Sequence, residues 1–303
     1  MKFSVQVNNY IYIFAISAII IYNTILFRII KDSKCIPISL FLFFAGGFFF
    51  QSLNIMRQYI AISIIFFSYD YLLSKKYIKW ALCSIVAFLF HSSSLVCLVM
   101  LFMIKKVRIK PIMIIIFALV SIIFKEQLYA VFVNVISLTR FTSYLESTFA
   151  TGSMRWLYFI VNLLLYIYMY MIYITKGYDD DKKANFYINI QGLAVLFVIS
   201  SALFEIFFRL IFFFSIFTTL SIPYFTENVN FKNIFRILEK TNFLKSKSKD
   251  LIKKIEKKCN TKTIKIVLYT IIILGFTANI SYTNLLKNEE EVSPYKTIFN
   301  IKK

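Results

Sequence analysis

Apolar runs of about 12 to 21 residues follow one another along this chain, each closed by a short polar or basic segment. The runs near 10–30, 37–53, 55–73, 77–91, 93–104, 111–124, 156–175, 186–204, 206–224 and 264–282 predict helices that together read as membrane spans. The expected fold is therefore all-α, a polytopic membrane protein with about 10 transmembrane helices. No Gly- or Pro-rich linker and no fixed-period repeat divides the chain, so residues 1–303 are expected to form a single integral-membrane domain. The first run, Tyr10 to Ile30, has no Ala-x-Ala cleavage pattern and is too long for a signal-peptide core, which makes it a retained span. Two shorter patterns carry helical spacing outside the spans. Leu128, Phe132 and Val135 predict a helix resting at the outer interface, and Phe231, Ile234, Phe235 and Leu238 predict either a helix on the inner leaflet or a solvated charge run.

Composition agrees with lipid as the solvent: 59% of the residues are hydrophobic and the mean hydropathy is +0.71. The net charge of +20 would suit nucleic acid, but the lysines sit in short segments between apolar runs, a pattern of membrane orientation rather than a basic groove. Segments 31–34, 75–79, 105–110, 176–183 and 226–263 hold about two thirds of all Lys and Arg and are expected in the cytoplasm, the last as a long basic loop. The outer side then receives the N-terminus, turns near Ser52 and Ser92, the loop 125–155, the turn at Glu205 and the tail after Tyr282. An outer N-terminus calls for an upstream span. Cys35, Cys83, Cys97 and Cys259 lack paired spacing, so neither a zinc site nor a disulfide framework is indicated. The run Asp179-Asp180-Asp181 lies beside Lys182 and Lys183 and reads as a solvated turn; no metal cage, Gly-rich phosphate loop or cofactor is expected.

An arginine inside a span costs about 2.5 to 3.5 kcal/mol at mid-bilayer, so each needs a partner, a wet cavity or a task. Arg57, Arg140, Arg155 and Arg209 all fall at or near the outer face, and forked guanidinium groups suit bidentate phosphate binding. Asn54, Arg57, Gln58 and Ala61 recur at i, i+3, i+4 and i+7. They draw a polar and small stripe that lines either a cavity or a helix contact. His91, the only histidine, lies in Phe90-His91-Ser92-Ser93-Ser94 between two spans, where it serves as a general base or hydrogen-bond donor, or merely caps a turn. Glu205 and Arg209 stand i to i+4. They form an intrahelical ion pair, or else Arg209 faces a cavity with Arg57 while Glu205 positions it or acts as a base.

The segments Asn54-Ile55-Met56-Arg57-Gln58-Tyr59-Ile60-Ala61 and Phe90-His91-Ser92-Ser93 resemble the EpsG family of exopolysaccharide and O-antigen (Wzy-type) polymerases. Looser matches follow in order: Arg140-Phe141 with Tyr144, Phe208-Arg209, and Pro294-Tyr295-Lys296, for coverage of about 40 to 299. Family members usually begin with a further span and an outer segment, which this chain lacks. The resemblance implies a metal-independent glycosyl transfer outside the cytoplasmic (inner) membrane, with undecaprenyl-diphosphate-linked glycans as donor and acceptor. It implies roles for His91, Arg57, Arg209 and Glu205 in catalysis and for Asn54, Gln58, Arg140, Tyr144 and Arg155 in holding substrate. The expected partners are those glycans and the bilayer, with room for a chain-length regulator. A flippase for the same lipid-linked glycans and a membrane O-acyltransferase are the competing functions; sparse polar groups at mid-span weigh against the flippase.

Overall fold

A computed structural model describes residues 11–104, 108–138, 142, 152–176, 181–229 and 261–286, and these contain helices and no strand. The helices are α1 (Ile11–Asp32), α2 (Ile36–Ala45), α3 (Phe48–Asn54), α4 (Met56–Leu73), α5 (Tyr77–Phe90), a 3-10 segment (Ser92–Val99) and α6 (Met100–Met103). They continue with α7 (Pro111–Ile123), α8 (Lys125–Ser137), α9 (Trp156–Lys176), α10 (Lys182–Ser201), α11 (Ile206–Ser215), α12 (Thr218–Glu227) and α13 (Thr261–Ile280), the last followed by a π-helical turn, Ser281–Leu286.

Every expected span therefore has a helical counterpart, but the count of about 10 is not reached by length. Four helices are long and apolar enough to cross a bilayer: Ile11–Asp32, Trp156–Ile174, Lys182–Ser201 and Lys262–Thr283. The number rises to 7 if α2 with α3, α7 with α8, and α11 with α12 each cross as one interrupted span. The runs at 77–91, 93–104 and 111–124 become helices or helical segments too short to cover a hydrocarbon core of about 30 Å alone. In α4, Arg57, Gln58 and Asp70 dilute the apolar character.

The chain clusters into two compact units, Met1–Leu95 with Thr218–Lys303, and Val96–Phe217. In the first, α1 buries Ile21, Ile25 and Ile29, one face at i, i+4 and i+8, against α4. Its other faces expose Phe14, Ile16, Ile19, Phe27 and Ile30, as a helix facing lipid does. Between these two parallel helices the chain returns through α2 and α3, bent by 46° at Gly46–Gly47. Gly47 has φ +80°, a backbone state that costs a side chain dearly, so the bend is built on glycine. Ser39 Oγ donates to the Thr219 carbonyl at 2.6 Å, tying α2 to α12, and Lys265 and Tyr269 of α13 bond Glu227 at 2.7 and 2.9 Å.

The deepest charge in this unit is Arg28, 1% exposed near the end of α1. Its Nη1 lies 3.0 Å from Asp32 Oδ2 and 3.6 Å from Asp70 Oδ2, and its Nε donates to the Phe67 carbonyl at 2.6 Å. The guanidinium also lies 5.0 Å from the Phe67 ring centre, and Tyr69 donates its hydroxyl to Asp32 at 2.9 Å. Two helices are thus joined through a buried charge that protein carboxylates and a backbone carbonyl meet.

In the second unit α10 is the central helix, buried on nearly all sides, with α9 and α11 packed along it. Its buried amides bind neighbouring backbone. Asn189 accepts from Ile109 N–H at 2.8 Å and donates to the Met103 carbonyl at 3.1 Å, while Tyr166 of α9 donates to the Ile109 carbonyl at 2.6 Å. The non-helical residue Ile109 is therefore saturated on both its polar groups. Gln191 likewise donates to the Asn162 carbonyl and side chain, both at 3.1 Å. Asp181 caps α10 by accepting from Lys183 and Ala184 N–H, both at 3.0 Å, a helix-cap role in keeping with the turn expected there; Asp179 and Asp180 lie outside the described residues. The helix expected from Leu128, Phe132 and Val135 is α8, turned 83° from α7. The pattern from Phe231 to Leu238 lies outside the described residues.

Replacing Arg28 by alanine removes the buried cation that joins the half-buried Asp32 carboxylate to Asp70. A loss of about 3–5 kcal/mol is expected, measured as a lower denaturation midpoint in detergent, with part of it regained when Asp32→Leu is added to Arg28→Met. Asn189→Leu leaves two buried backbone groups unpaired and is expected to cost about 2–5 kcal/mol in the same assay.

Candidate functional site

In the first unit α4 and α5 pack as an antiparallel hairpin closed by the turn at Ser74–Lys76. Arg57, near the start of α4, and His91, just past α5, accordingly lie at the same end, opposite that turn. Arg57 is exposed, whereas Gln58 and Ala61 are buried. Asn54 is exposed and belongs to α3, because the helix breaks at Ile55, whose φ of −106° and ψ of 52° are not helical. The stripe expected from Asn54, Arg57, Gln58 and Ala61 is therefore corrected: its first member precedes the break, and its remaining members divide between exposed and buried positions. Tyr59 donates to Gln51 Oε1 at 2.8 Å and braces the break from both sides. His91 is half-buried in extended backbone, φ −153° and ψ 114°, and its N–H donates to the Ala87 carbonyl at 3.0 Å.

In the second unit the segment before α9 and the α10–α11 turn meet. Arg155 donates from both Nε, at 3.0 Å, and Nη2 to Glu205 Oε1, and Ser153 Oγ donates to Glu205 Oε2 at 3.3 Å. The guanidinium carbon stands 4.0 Å above the Phe208 ring, so the charge is held by an acid at its edge and an aromatic on its face. The sequence leaves open an ion pair with Arg209 or a positioning or base role for Glu205; Arg155, fifty residues earlier, grips it here. Arg155 nevertheless keeps 37% of its side chain exposed. Arg209 is half-buried one turn beyond Glu205. Arg140 and Tyr144 lie outside the described residues.

Gly152 and Ser153 escape sequence reading, as does the part that Phe208 plays beside Arg155. Gly152 lets the loop backbone touch the turn: a Cβ there would stand 2.4 Å from the Leu203 carbonyl carbon and 2.5 Å from Phe204 N. Ser153 and Phe208 complete the hold on Arg155 and Glu205. On the same turn, Phe204 stacks with Tyr129 at 4.8 Å and 6° and with Phe132 at 3.8 Å, so α8 docks there as well.

The model of the EpsG family matches residues 3–245. The chain belongs to the EpsG family. This EpsG-family chain is, with its apolar helices, a membrane protein of polysaccharide biosynthesis. The matched region contains Asn54–Ala61, Phe90–Ser93, Arg155, Glu205 and Arg209; it begins earlier than the expected residue 40 and stops before Pro294-Tyr295-Lys296. No curated protein and no solved structure matches the chain.

Gly152→Ala is expected to push the loop off the turn, because the blocking atoms are backbone and cannot rotate away. A destabilisation of about 1–3 kcal/mol is expected from a thermal melt, and Ser153→Ala should fall well below it.

Proposed function

We propose that this EpsG-family chain polymerises a polysaccharide from lipid-linked repeat units on the outer side of the cytoplasmic membrane. The observation that carries this reading is the family match across residues 3–245, which spans the candidate arginines of both units and the histidine. The donor is a glycan on undecaprenyl diphosphate and the acceptor is a second repeat unit.

A hydroxyl oxygen of the acceptor attacks the anomeric carbon of the donor glycan. A new glycosidic C–O bond forms as the bond from that carbon to the diphosphate oxygen breaks, and undecaprenyl diphosphate leaves with the electron pair. His91 takes or orients the proton of the attacking hydroxyl, for which its place at an open helix end is suitable. Arg57 meets the diphosphate and stabilises charge growing on the departing oxygen, the interaction that most often dominates such catalysis, and Arg209 is a second candidate phosphate contact within its own unit. Arg57 is exposed and free to approach a polar headgroup, which favours that role. Arg155 binds the glycan or its phosphate, with Glu205 and Phe208 fixing its direction, so Glu205 is a positioning residue rather than the base. Asn54, exposed beside Arg57, contributes a further polar contact, and buried Gln58 supports the helix break behind it.

In a polymerase-deleted strain supplying the matching repeat unit, the chain is expected to restore a ladder of glycan lengths on a gel. Arg57→Ala is expected to reduce polymerisation by about 10²-fold or more and leave single units. A ladder from Arg57→Ala equal to the parent's would remove the diphosphate role.

A further inference from the structure

Many buried and half-buried hydroxyls among the described residues bond a carbonyl of their own helix. Ser63 donates to the Ile60 carbonyl, Ser68 to Ile65, Ser84 to Trp80, Ser201 to Val198 and Thr226 to Ile222, all between 2.6 and 3.0 Å. Ser93 and Ser94 break this habit. Both hydroxyl oxygens are buried and neither has a hydrogen-bond partner among the described residues, and Ser94 as a whole is only 3% exposed. Two adjacent orphans are costly, about 1–3 kcal/mol each, and call for a reason.

The backbone supplies the local cause. His91 is extended and interrupts the helix immediately before the serines, so no preceding helical turn offers them carbonyls in line. The chain then runs as a 3-10 helix for 8 residues, Ser92–Val99, where such runs seldom exceed three or four. The bond from Ser94 N–H to the His91 carbonyl at 3.0 Å uses backbone and leaves the hydroxyls unmet. Ser121 and Trp80 also carry an orphan polar atom, but each is single, on another helix or at the far end of α5. At 93–94 there are two, next to the only histidine, at the helix end that also carries Arg57.

We propose that Ser93 and Ser94 form a binding subsite beside His91 for a neutral hydroxyl of a glycan. Each serine offers one donor and two acceptor positions, the pattern a sugar hydroxyl complements in both directions. Leu89, Phe90 and Leu95 around this corner are exposed apolar residues, a setting in which neutral ligand groups are accommodated at less cost than ionic ones. The choice of a glycan rests on the polymerase reading, and the subsite would place the acceptor hydroxyl within the neighbourhood of His91. The serines are binding residues and take no proton in the reaction.

The test uses the full chain in lipid nanodiscs, the double variant Ser93→Ala/Ser94→Ala and the control Ser84→Ala, whose hydroxyl is already paired. The probe is the lipid-free oligosaccharide of one repeat unit, titrated by calorimetry, beside a thermal melt and the glycan ladder in cells. The double variant is expected to melt at the parent's temperature or higher, since it removes unsatisfied groups, while its affinity for the oligosaccharide falls about tenfold or more and its ladder shortens. Ser84→Ala is expected to match the parent in affinity and ladder. A double variant that binds the oligosaccharide like the parent, or a parent that does not bind it, overturns the subsite. So does a lower melt with unchanged affinity, which would mean the hydroxyls are structural and water-paired. A parent that binds through the serines yet makes no ladder would sink the polymerase reading and leave the subsite standing.

Discussion

Hydrocarbon offers no hydrogen bonds, and that single constraint organises this chain. A regular helix satisfies its own backbone, but these helices are interrupted at Gly46–Gly47, at Ile55, around Ile109 and at His91. Each interruption exposes groups that lipid cannot serve. At Ile55 the brace is a tyrosine on one side of the break holding a glutamine on the other. At Ile109 it is an asparagine and a tyrosine from two different helices, closing on one residue's N–H and carbonyl. Arg28 obeys the same rule with a full charge, which is why it has two carboxylates and a carbonyl around it.

The arginines divide accordingly. Arg28 is enclosed and paired, a joint between α1 and α4. Arg57 is exposed, and Arg155, although gripped by Glu205 and Phe208, retains an open part of its side chain. A guanidinium fixed along one edge and one face but free elsewhere has lost its rotational freedom without losing its capacity to bind, which is the condition for recognising a phosphate or a polyhydroxylated chain at little entropic cost. Membership of the EpsG family gives that arrangement a setting in polysaccharide biosynthesis.

The helical runs were legible in the sequence because lipid-facing helices are apolar on several sides, so the signal is their length. Their interruptions were not legible where the breaking residue is itself apolar: Ile55 sits in what reads as continuous helix, and a stripe drawn across it from Asn54 to Ala61 fails for that reason. Runs such as Pro111–Ile123 were taken as spans by apolarity, while their length alone does not cross the core. Arg28 was hidden near a basic helix end, where a cation reads as an orientation signal, and its acids Asp32 and Asp70 belong to different helices. The partnership of Arg155 and Glu205 was hidden by fifty intervening residues; the eye finds Arg209, four residues away, first. Gly152 carries no local signal at all, since what it accommodates is a distant backbone. By contrast the order of apolar runs and basic connections puts Arg57 and His91 on one side, and the short turn at Ser74–Lys76 does leave both at one end of a hairpin.

The sideways turn from α7 to α8 bears on the surrounding lipid. A 13-residue helix reaches about 20 Å, roughly two thirds of an ordinary hydrocarbon thickness, before the chain swings 83° and lays Tyr129 and Phe132 toward the Phe204 turn. Acyl chains meeting that flank must splay or shorten to match it, a local hydrophobic mismatch that thins the leaflet. The polar end of any lipid drifting into such a dimple would ride lower than elsewhere in the membrane, near the depth of the protein's turn.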